Sequence, residues 1–528
     1  MNGASKSTWR ACGIVAFVAA LGHALSLKNG FVLDDDDLLV SNPFVRTAAG
    51  LGKLLTSGLF DATARPILAD YYRPLSGALY WLSFQVLGVG AAAQHGLNVV
   101  LHAVVSVLLL RALQTLGART EVAAIVSALF AVHPATSEIV AYVGGRQAML
   151  AAVIALLSIT SLAKRSSLAS AGLAAFFGVA CAALAHESFV VIAAIVPIVA
   201  ARTATRRRGA VAAAASVVAV GAAVALRSFA GVGTHMRATG SPILWERSFA
   251  SVAARLLHDV FLPTDLAFEL TVTPAPAWLA ISVPLVAGVA CVLLVHFAAP
   301  HVRTLALAGA AAMGLFVAVH TPIALVSGEI SDRYAYPMLV AVAFALGAAA
   351  ESVAVRAERA ATKSPLRPLI PLFAGLLVLA ISPATLARDS EWSSEALLQA
   401  SMFSARPSDP AAQFAEGTRR LAAGDFAAAY PLCLPYSQAH PTSHRADYCV
   451  GACLLMRGEP RAAADRLKSY LEERPGNAAA RRFYLGALFT AGDLAGIDAT
   501  LAAWGPGLDA SPEVVAARAE LERRRRAP

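Results

Sequence analysis

Charge is scarce in this chain. Asp, Glu, Lys and Arg make up 15% of its 528 residues, against about a quarter in a soluble globular protein. With 57% of residues hydrophobic, a single soluble enzyme is excluded. Cysteine is also sparse. Six are present, with no CxxC pair and no metal-type spacing, which excludes a cysteine zinc site and a disulfide scaffold. Cys12, Cys181 and Cys291 lie in apolar runs and read as small buried hydrophobes. Cys433, Cys449 and Cys453 lie near the C-terminus, where an oxidising compartment would permit one disulfide, Cys433 with Cys449 or Cys453. The net charge of +9 does not imply nucleic acid, because the basic residues cluster in alternate short loops between apolar runs.

Those apolar runs are what the chain has in quantity. A bilayer-crossing helix needs roughly 20 apolar residues. Eleven candidates lie near 11–27, 94–115, 121–137, 147–163, 169–185, 188–202, 209–227, 277–298, 304–325, 335–352 and 369–387. With the N-terminus inside, basic clusters such as Arg206-Arg-Arg208 and Arg356 to Arg367 all fall on the cytoplasmic side. The Asp34–Asp37 quartet, the His133–Arg146 loop, the His186 turn, the 228–276 loop, the 327–333 turn and everything after 388 then face outward. The first run is read as a retained helix rather than a signal peptide, since no small-residue cleavage site follows it. Leu75 to Val89 is read as a helix lying along the outer membrane surface, its aromatics at headgroup level.

Composition shifts near 388, dividing a membrane domain (1–388) from a soluble, Ala-rich one (389–528). The second is periodic. Pro407, Pro441 and Pro475 stand 34 residues apart, as do Gly424, Gly458 and Gly492. A 34-residue period with Gly at the inter-helix turn is the tetratricopeptide pattern. Repeats are expected at about 407–440, 441–474 and 475–508, with a capping helix over 511–526. The fold class is all-α: a polytopic membrane bundle followed by a helical solenoid.

The polar residues of the outward loops carry the chemistry. Asp34–Asp37 reads as a solvated acidic turn, or as a general base whose neighbours raise its pKa or hold a divalent ion such as Mg or Mn. Arg73 grips a phosphate bidentately or anchors at the interface. His95, Asn98 and His102 lie near one helix face, and Asn98 and His102 read as helix–helix glue. The loop His133 to Arg146 collects His133, Glu138, Gly144, Gly145 and Arg146 between two spans. Its Arg146 and glycine amides suit a phosphate at a helix N-terminus. His186-Glu187 and Asp332-Arg333-Tyr334 add charged groups on the same side.

Together these segments resemble the multispanning GT-C glycosyltransferases with a tetratricopeptide tail, the transmembrane O-mannosyltransferase group, in a form of bacterial appearance. The first-loop motif matches at Asp34-Asp35 with Asn42-Pro43, and Tyr72 to Leu75 is Tyr-Arg-Pro-Leu. His95, Asn98 and His102 match in spacing, as do His133, Pro134, Glu138, Val140, Val143, Gly145 and Arg146. Asp332-Arg-Tyr-Ala-Tyr336 is similar to the family's Glu-Arg-Tyr-x-Tyr. The departures are Leu33 for an aromatic, Ser137 for Thr, Asp332 for Glu, and His186 where a Lys is usual.

The resemblance implies inverting transfer of a sugar, mannose above all, from a polyprenyl-phosphate donor in the bilayer to a protein Ser/Thr hydroxyl or a glycan outside. It narrows the quartet to two catalytic carboxylates, with Asp35 as base and Asp34 as its orienting neighbour. Arg73, His133, Glu138, Arg146, His186, Glu187, Arg333 and Tyr334 are expected around the donor and its phosphate. The tail is expected to engage the acceptor. Two other readings stand beside this one. A membrane-anchored scaffold for envelope assembly would need neither the acidic pair nor the His133–Arg146 loop. A transporter would carry ionisable residues at mid-bilayer.

Overall fold

A computed structural model describes residues 3–62, 71–164, 167–203, 205–232, 242–359, 369–440, 443–505, 508 and 511–526. The chain separates into two compact units at Leu398–Gln399. Both are helical. The one strand pair among the described residues joins β1 (Leu270–Thr271) to β2 (Glu329–Ile330), antiparallel, with Leu270 opposite Ile330.

The first unit holds α1 (Gly3–Gly22), α2 (Ala48–Thr56), α3 (Pro74–Leu87), α4 (Ala91–Thr115), α5 (Thr120–Ala131), α6 (Ser137–Ala141), α7 (Arg146–Lys164), α8 (Leu168–Ala185), α9 (Ile192–Thr203), α10 (Arg206–Phe229), α11 (Pro242–Phe261), α12 (Ala277–Phe297), α13 (Arg303–Ser327), α14 (Ala335–Arg359) and α15 (Leu369–Glu391). Among the described residues eight helices are long and apolar enough to cross a membrane: α4, α7, α8, α10, α12, α13, α14 and α15. The chain is a multi-pass membrane protein. α12 buries none of its residues, so its apolar surface is covered only if lipid surrounds it.

The other three of the eleven apolar runs are helical too, but each departs from a plain span. α1 carries Lys6 and Arg10 in its first turns. α5 is bent by 62° against the segment Pro134–Ala141. α9 has only 12 residues, about 18 Å of helix where the hydrocarbon is about 30 Å thick. α5 is equally short, with 12 residues. Pro134 stops α5, because proline cannot donate to the ladder. Irregular backbone beside such short helices is tolerated at membrane depth only where protein covers it. These two breaks carry Glu138 and Glu187, and both segments are largely buried.

One expectation needs revision. The 228–276 segment contains α11, held to the bundle through α12 and α13, so it is not simply a loop. The Leu75–Val89 stretch forms α3, but it buries Ser76, Tyr80 and Ser83. Trp81 Nε1 donates to the Thr47 carbonyl at 2.9 Å. The same helix leaves Leu82, Val86 and Leu87 exposed, the apolar face that the expected surface helix needs. In the bundle, α4 packs on α1, α5 and α7, α8 on α7 and α10, and α13 on α14. α15 runs on into Trp392, which is fully buried.

From α16 (Glu395–Ala405) onward the helices are α17 (Pro410–Ala422), α18 (Phe426–Ala439), α19 (Asp447–Met456), α20 (Pro460–Glu473), α21 (Ala478–Ala491), α22 (Leu494–Trp504) and α23 (Pro512–Arg526). Each of α17 to α21 packs on the next, α22 packs on α21, and α23 covers α21 and α22. Gly424, Gly458 and Gly492 turn the chain between paired helices with φ of 78°, 82° and 74°, a conformation that favours glycine. Asp425 and Asp493 then cap α18 and α22 by accepting from Ala428 N–H at 3.1 Å and Gly496 N–H at 2.8 Å. Cys433 of α18 is bonded to Cys449 of α19, while Cys453 is a buried free thiol.

Candidate active site

Residues from the first loop and the 133–146 segment meet in the first unit. After α1 the chain turns at Leu33, whose φ of 52° is rare for a residue with a side chain. That turn delivers Asp34 and Asp35 to the next short helix. Asp35 is fully buried. Its Oδ2 accepts from Val32 N–H at 3.2 Å and its Oδ1 from Gly144 N–H at 2.9 Å. Burial pushes its carboxyl up to about 7, against the pull of these backbone bonds. Asp34 is half-buried, and Tyr142 Oη donates to its Oδ2 at 3.3 Å. The two aspartates are therefore unlike: one is sealed and tied down, the other stands at the edge.

Gly144 N–H is thus occupied by Asp35, and Gly145 N–H by the Tyr142 carbonyl at 3.0 Å. Arg146 is likewise committed. It is fully buried, donating to Asn98 Oδ1 at 2.9 Å, Ser83 Oγ at 2.8 Å and the Gln94 carbonyl at 3.0 Å. The group expected to hold a phosphate instead bolts α3 and α4 to α7. His133 has a similar local task. Its Nδ1 accepts from Ala135 N–H at 3.2 Å and its Nε2 donates to the Val260 carbonyl at 2.8 Å. Asn98 and His102, expected as glue, bond the Tyr142 carbonyl at 2.8 Å and Tyr336 Oη at 3.0 Å.

Arg73 begins α3 and is bidentate to Glu187, with Nε 2.7 Å from Oε2; it also bonds Gln147. Burial pushes the Glu187 carboxyl up, but the Arg73 charge outweighs it and holds the group below the usual carboxylate range. His186 is driven down to about 3, first by burial and then by Arg73. It is neutral at physiological pH and adds no positive charge. Arg333 Nε lies 3.3 Å from Glu138 Oε1, and the Tyr334 ring lies tilted against His320 with centroids 4.3 Å apart. Tyr71 lies within electrostatic reach of Arg73, Glu187, Arg333 and Asp34 together. The Arg73 guanidinium lies over its ring, 4.5 Å from the centroid.

Residues outside the motifs complete the surroundings. Arg255 of α11 pairs with Asp259 at 2.8 Å and with Asp332 at 3.0 Å. Arg388 adds a second contact to Asp332 at 3.5 Å. Sequence reasoning missed Arg255 and Asp259, although an Arg and an Asp four apart on an apolar helix was a usable signal. Among the described residues no group of three or more His, Cys, Asp or Glu side chains is placed to hold a metal ion. Each Asp35 oxygen already accepts from one backbone N–H.

No protein-family model and no solved structure matches this chain. Part of it matches curated proteins. It is 32% identical over 158 residues to protein O-mannosyl-transferase TMTC1 of Mus musculus, 29% of this chain and 16% of that protein. It is 30% identical over 160 residues to protein O-mannosyl-transferase TMTC4 of Mus musculus, 28% of this chain and 22% of that one. It is 32% identical over 154 residues to protein O-mannosyl-transferase Tmtc1 of Drosophila melanogaster, 28% of this chain and 17% of that one. The match thus spans less than a quarter of each relative's length. Over that stretch the chain is similar to relatives that carry the name of protein O-mannosyl-transferases.

Proposed function

We propose that this protein is an inverting membrane glycosyltransferase. It moves a sugar, mannose by the names of its relatives, from a polyprenyl-phosphate donor to a Ser/Thr hydroxyl of a protein, or to a glycan, on the outer side of the membrane. The observation that carries this reading is the unequal aspartate pair. Asp35 is locked by Val32 and Gly144 N–H, and Asp34 beside it is half-buried on Tyr142. A hydroxyl is a poor nucleophile until its proton is taken in the transition state, so a general base must reach it. Asp34 is the carboxylate with access, and we assign it that proton. Asp35 fixes its direction. This exchanges the order that the sequence suggested.

The leaving group is a lipid phosphate, which needs fixed cations where its charge develops. Arg73 and Arg333 supply them. Each is already paired with a carboxylate, Glu187 and Glu138, so the guanidiniums are held in place before the donor arrives. With Arg146 and His133 bonded inward and His186 neutral, the phosphate rests on these two arginines. In this reading the two arginines meet a lipid-linked phosphate that enters from the bilayer side. The second unit is read as a tetratricopeptide array that presents the acceptor. Its disulfide and the alternation of basic loops support an extracytoplasmic tail.

The test is sugar transfer by purified protein from polyprenyl-phosphate-mannose to an acceptor peptide. Asp34→Asn should lower kcat by about 10²–10⁴, and Asp35→Asn by less. Transfer by Asp34→Asn at the unsubstituted rate would remove Asp34 as base. Absence of transfer from any polyprenyl-phosphate sugar would remove the enzyme reading.

A further inference from the structure

The motifs leave unexplained a set of buried polar residues behind the first loop. His23 follows α1, Asp389 lies in the last turn of α15, and Thr136 sits between α5 and α6. All three are fully buried. His23 Nδ1 lies 3.1 Å from Asp389 Oδ1 and 3.0 Å from Oδ2, across 366 residues of sequence. Its Nε2 lies 3.1 Å from Thr136 Oγ1. Thr136 gives its own hydroxyl hydrogen to the His133 carbonyl at 2.6 Å, so its oxygen accepts from His23.

A buried pair of this kind is poor evidence for stability, because apolar residues of the same volume often do as well or better. What distinguishes it is where the same turn of α15 makes its other contacts. The Asp389 carbonyl accepts from Asn29 Nδ2 at 2.9 Å. The Ser393 carbonyl accepts from Gly30 N–H at 3.1 Å. Trp392 packs on Tyr142 with ring centroids 5.7 Å apart, and Tyr142 donates to Asp34. These contacts end on the residues that lead into the acidic pair, or on its hydrogen-bond donor; the same turn also reaches Asp332 through Arg388 at 3.5 Å and Phe268 through Trp392. His95 adds a further hold on the same strand of chain, its Nε2 lying 3.1 Å from the Gly30 carbonyl.

We propose that His23 and Asp389 are positioning residues: through the last turn of α15 they fix the chain from Asn29 to Asp35 and so set the reach of Asp34. The kinetic half of this inference rests on the glycosyltransferase reading; the structural half does not. Misplacement of a catalytic group by about 1 Å costs about 10²-fold in rate, so a small release of this clamp is enough to be measured.

The experiment uses the full-length protein in lipid nanodiscs, with hydrogen exchange and transfer kinetics read on the same samples. Asp389→Ala should speed amide exchange over residues 29–37 about tenfold while α4 amides keep their rates, a local opening rather than a global one. It should lower kcat about 10²-fold with the donor KM within about twofold. Asp389→Asn, which keeps an acceptor for His23, should restore most of kcat. If Asp389→Ala fails to fold, Thr136→Val, which removes the Nε2 partner and the bond to the His133 carbonyl but leaves the Asp389 pair, takes its place with the same readouts. Unchanged exchange over 29–37 overturns the proposal whether or not the protein transfers sugar. So does a uniform rise in exchange across α1, α4 and α15, which marks a packing role alone, or a loss that Asp389→Asn does not rescue. An unsubstituted protein that transfers no sugar overturns the enzyme reading instead, and exchange alone then decides this one.

Discussion

Gly144 gives its backbone N–H to Oδ1 of Asp35 at 2.9 Å, across 109 residues of sequence. Two motifs that read separately in the sequence are thereby one structure. The turn before α7 is the floor on which the acidic pair stands.

That floor has a measurable cost. The Asp35 carboxyl is raised by burial from an ordinary carboxylate value to about 7. Between these values the folded protein keeps a proton that the unfolded chain has released. Stability from this group is therefore full below about pH 4 and is lost as pH rises through about 7. The difference corresponds to about 4 kcal/mol. The unfolding midpoint of the native protein, compared with Asp35→Asn across pH 4–8, should fall toward Asp35→Asn or below it as pH rises. A difference that stays flat, or moves the other way, would show that Asp35 is ionised throughout.

Arg73 and Arg146 look interchangeable as phosphate ligands in sequence but make opposite predictions in the structure. Arg146 serves three acceptors in the bundle. Arg146→Ala strands them, at about 1–3 kcal/mol each, and should show as lost folded protein in detergent. Arg73→Lys keeps a charge for Glu187 but loses the planar fork. It should fold, and raise the donor KM about tenfold. A normal melting profile for Arg146→Ala with a raised KM would reverse this assignment.

The membrane bundle was legible because its signal is local: each of the eleven apolar runs is helical. The short helices were less so. Apolar content shows that α9 is buried but not that it begins only at Ile192, after the packed turn Glu187–Val191. The buried faces of α3 were hidden because Tyr80 and Ser83 take long-range partners from the turn before α7, from Gln147 and from Arg146. The pairing of His23 with Asp389 has no sequence signal of any kind. It exists only because the ends of α1 and α15 are brought together.

The second unit predicts its own compartment. Cys433 and Cys449 are separated by 16 residues, and closing a loop of that size is worth about 3 kcal/mol in the chain-entropy account. Cys433→Ser should lower the temperature at which the tail of the full-length protein becomes protease-sensitive, while Cys453→Ala should change it little. Acid-trapped cells should yield this pair oxidised. Recovery of both thiols reduced would place the tail on a reducing side of the membrane and sink the proposed orientation.

The last prediction returns to the turn before α7. A Cβ on Gly145 would lie 2.3 Å from the Ile139 carbonyl oxygen and 2.7 Å from its Cα. Backbone cannot move aside as a side chain can, so Gly145→Ala must open the turn, at about 1–3 kcal/mol. At Gly144 the obstacle is the Tyr142 ring, 2.2 Å away, which can swing if it gives up Asp34 and Trp392. Gly144→Ala should therefore fold nearly as well as the native chain yet lose transfer, because Tyr142 no longer orients Asp34. Gly145→Ala should lose both. Equal stability and equal activity in the two variants would mean that the turn does not carry the acidic pair. The contrast between them isolates what Tyr142 contributes from what the backbone contributes.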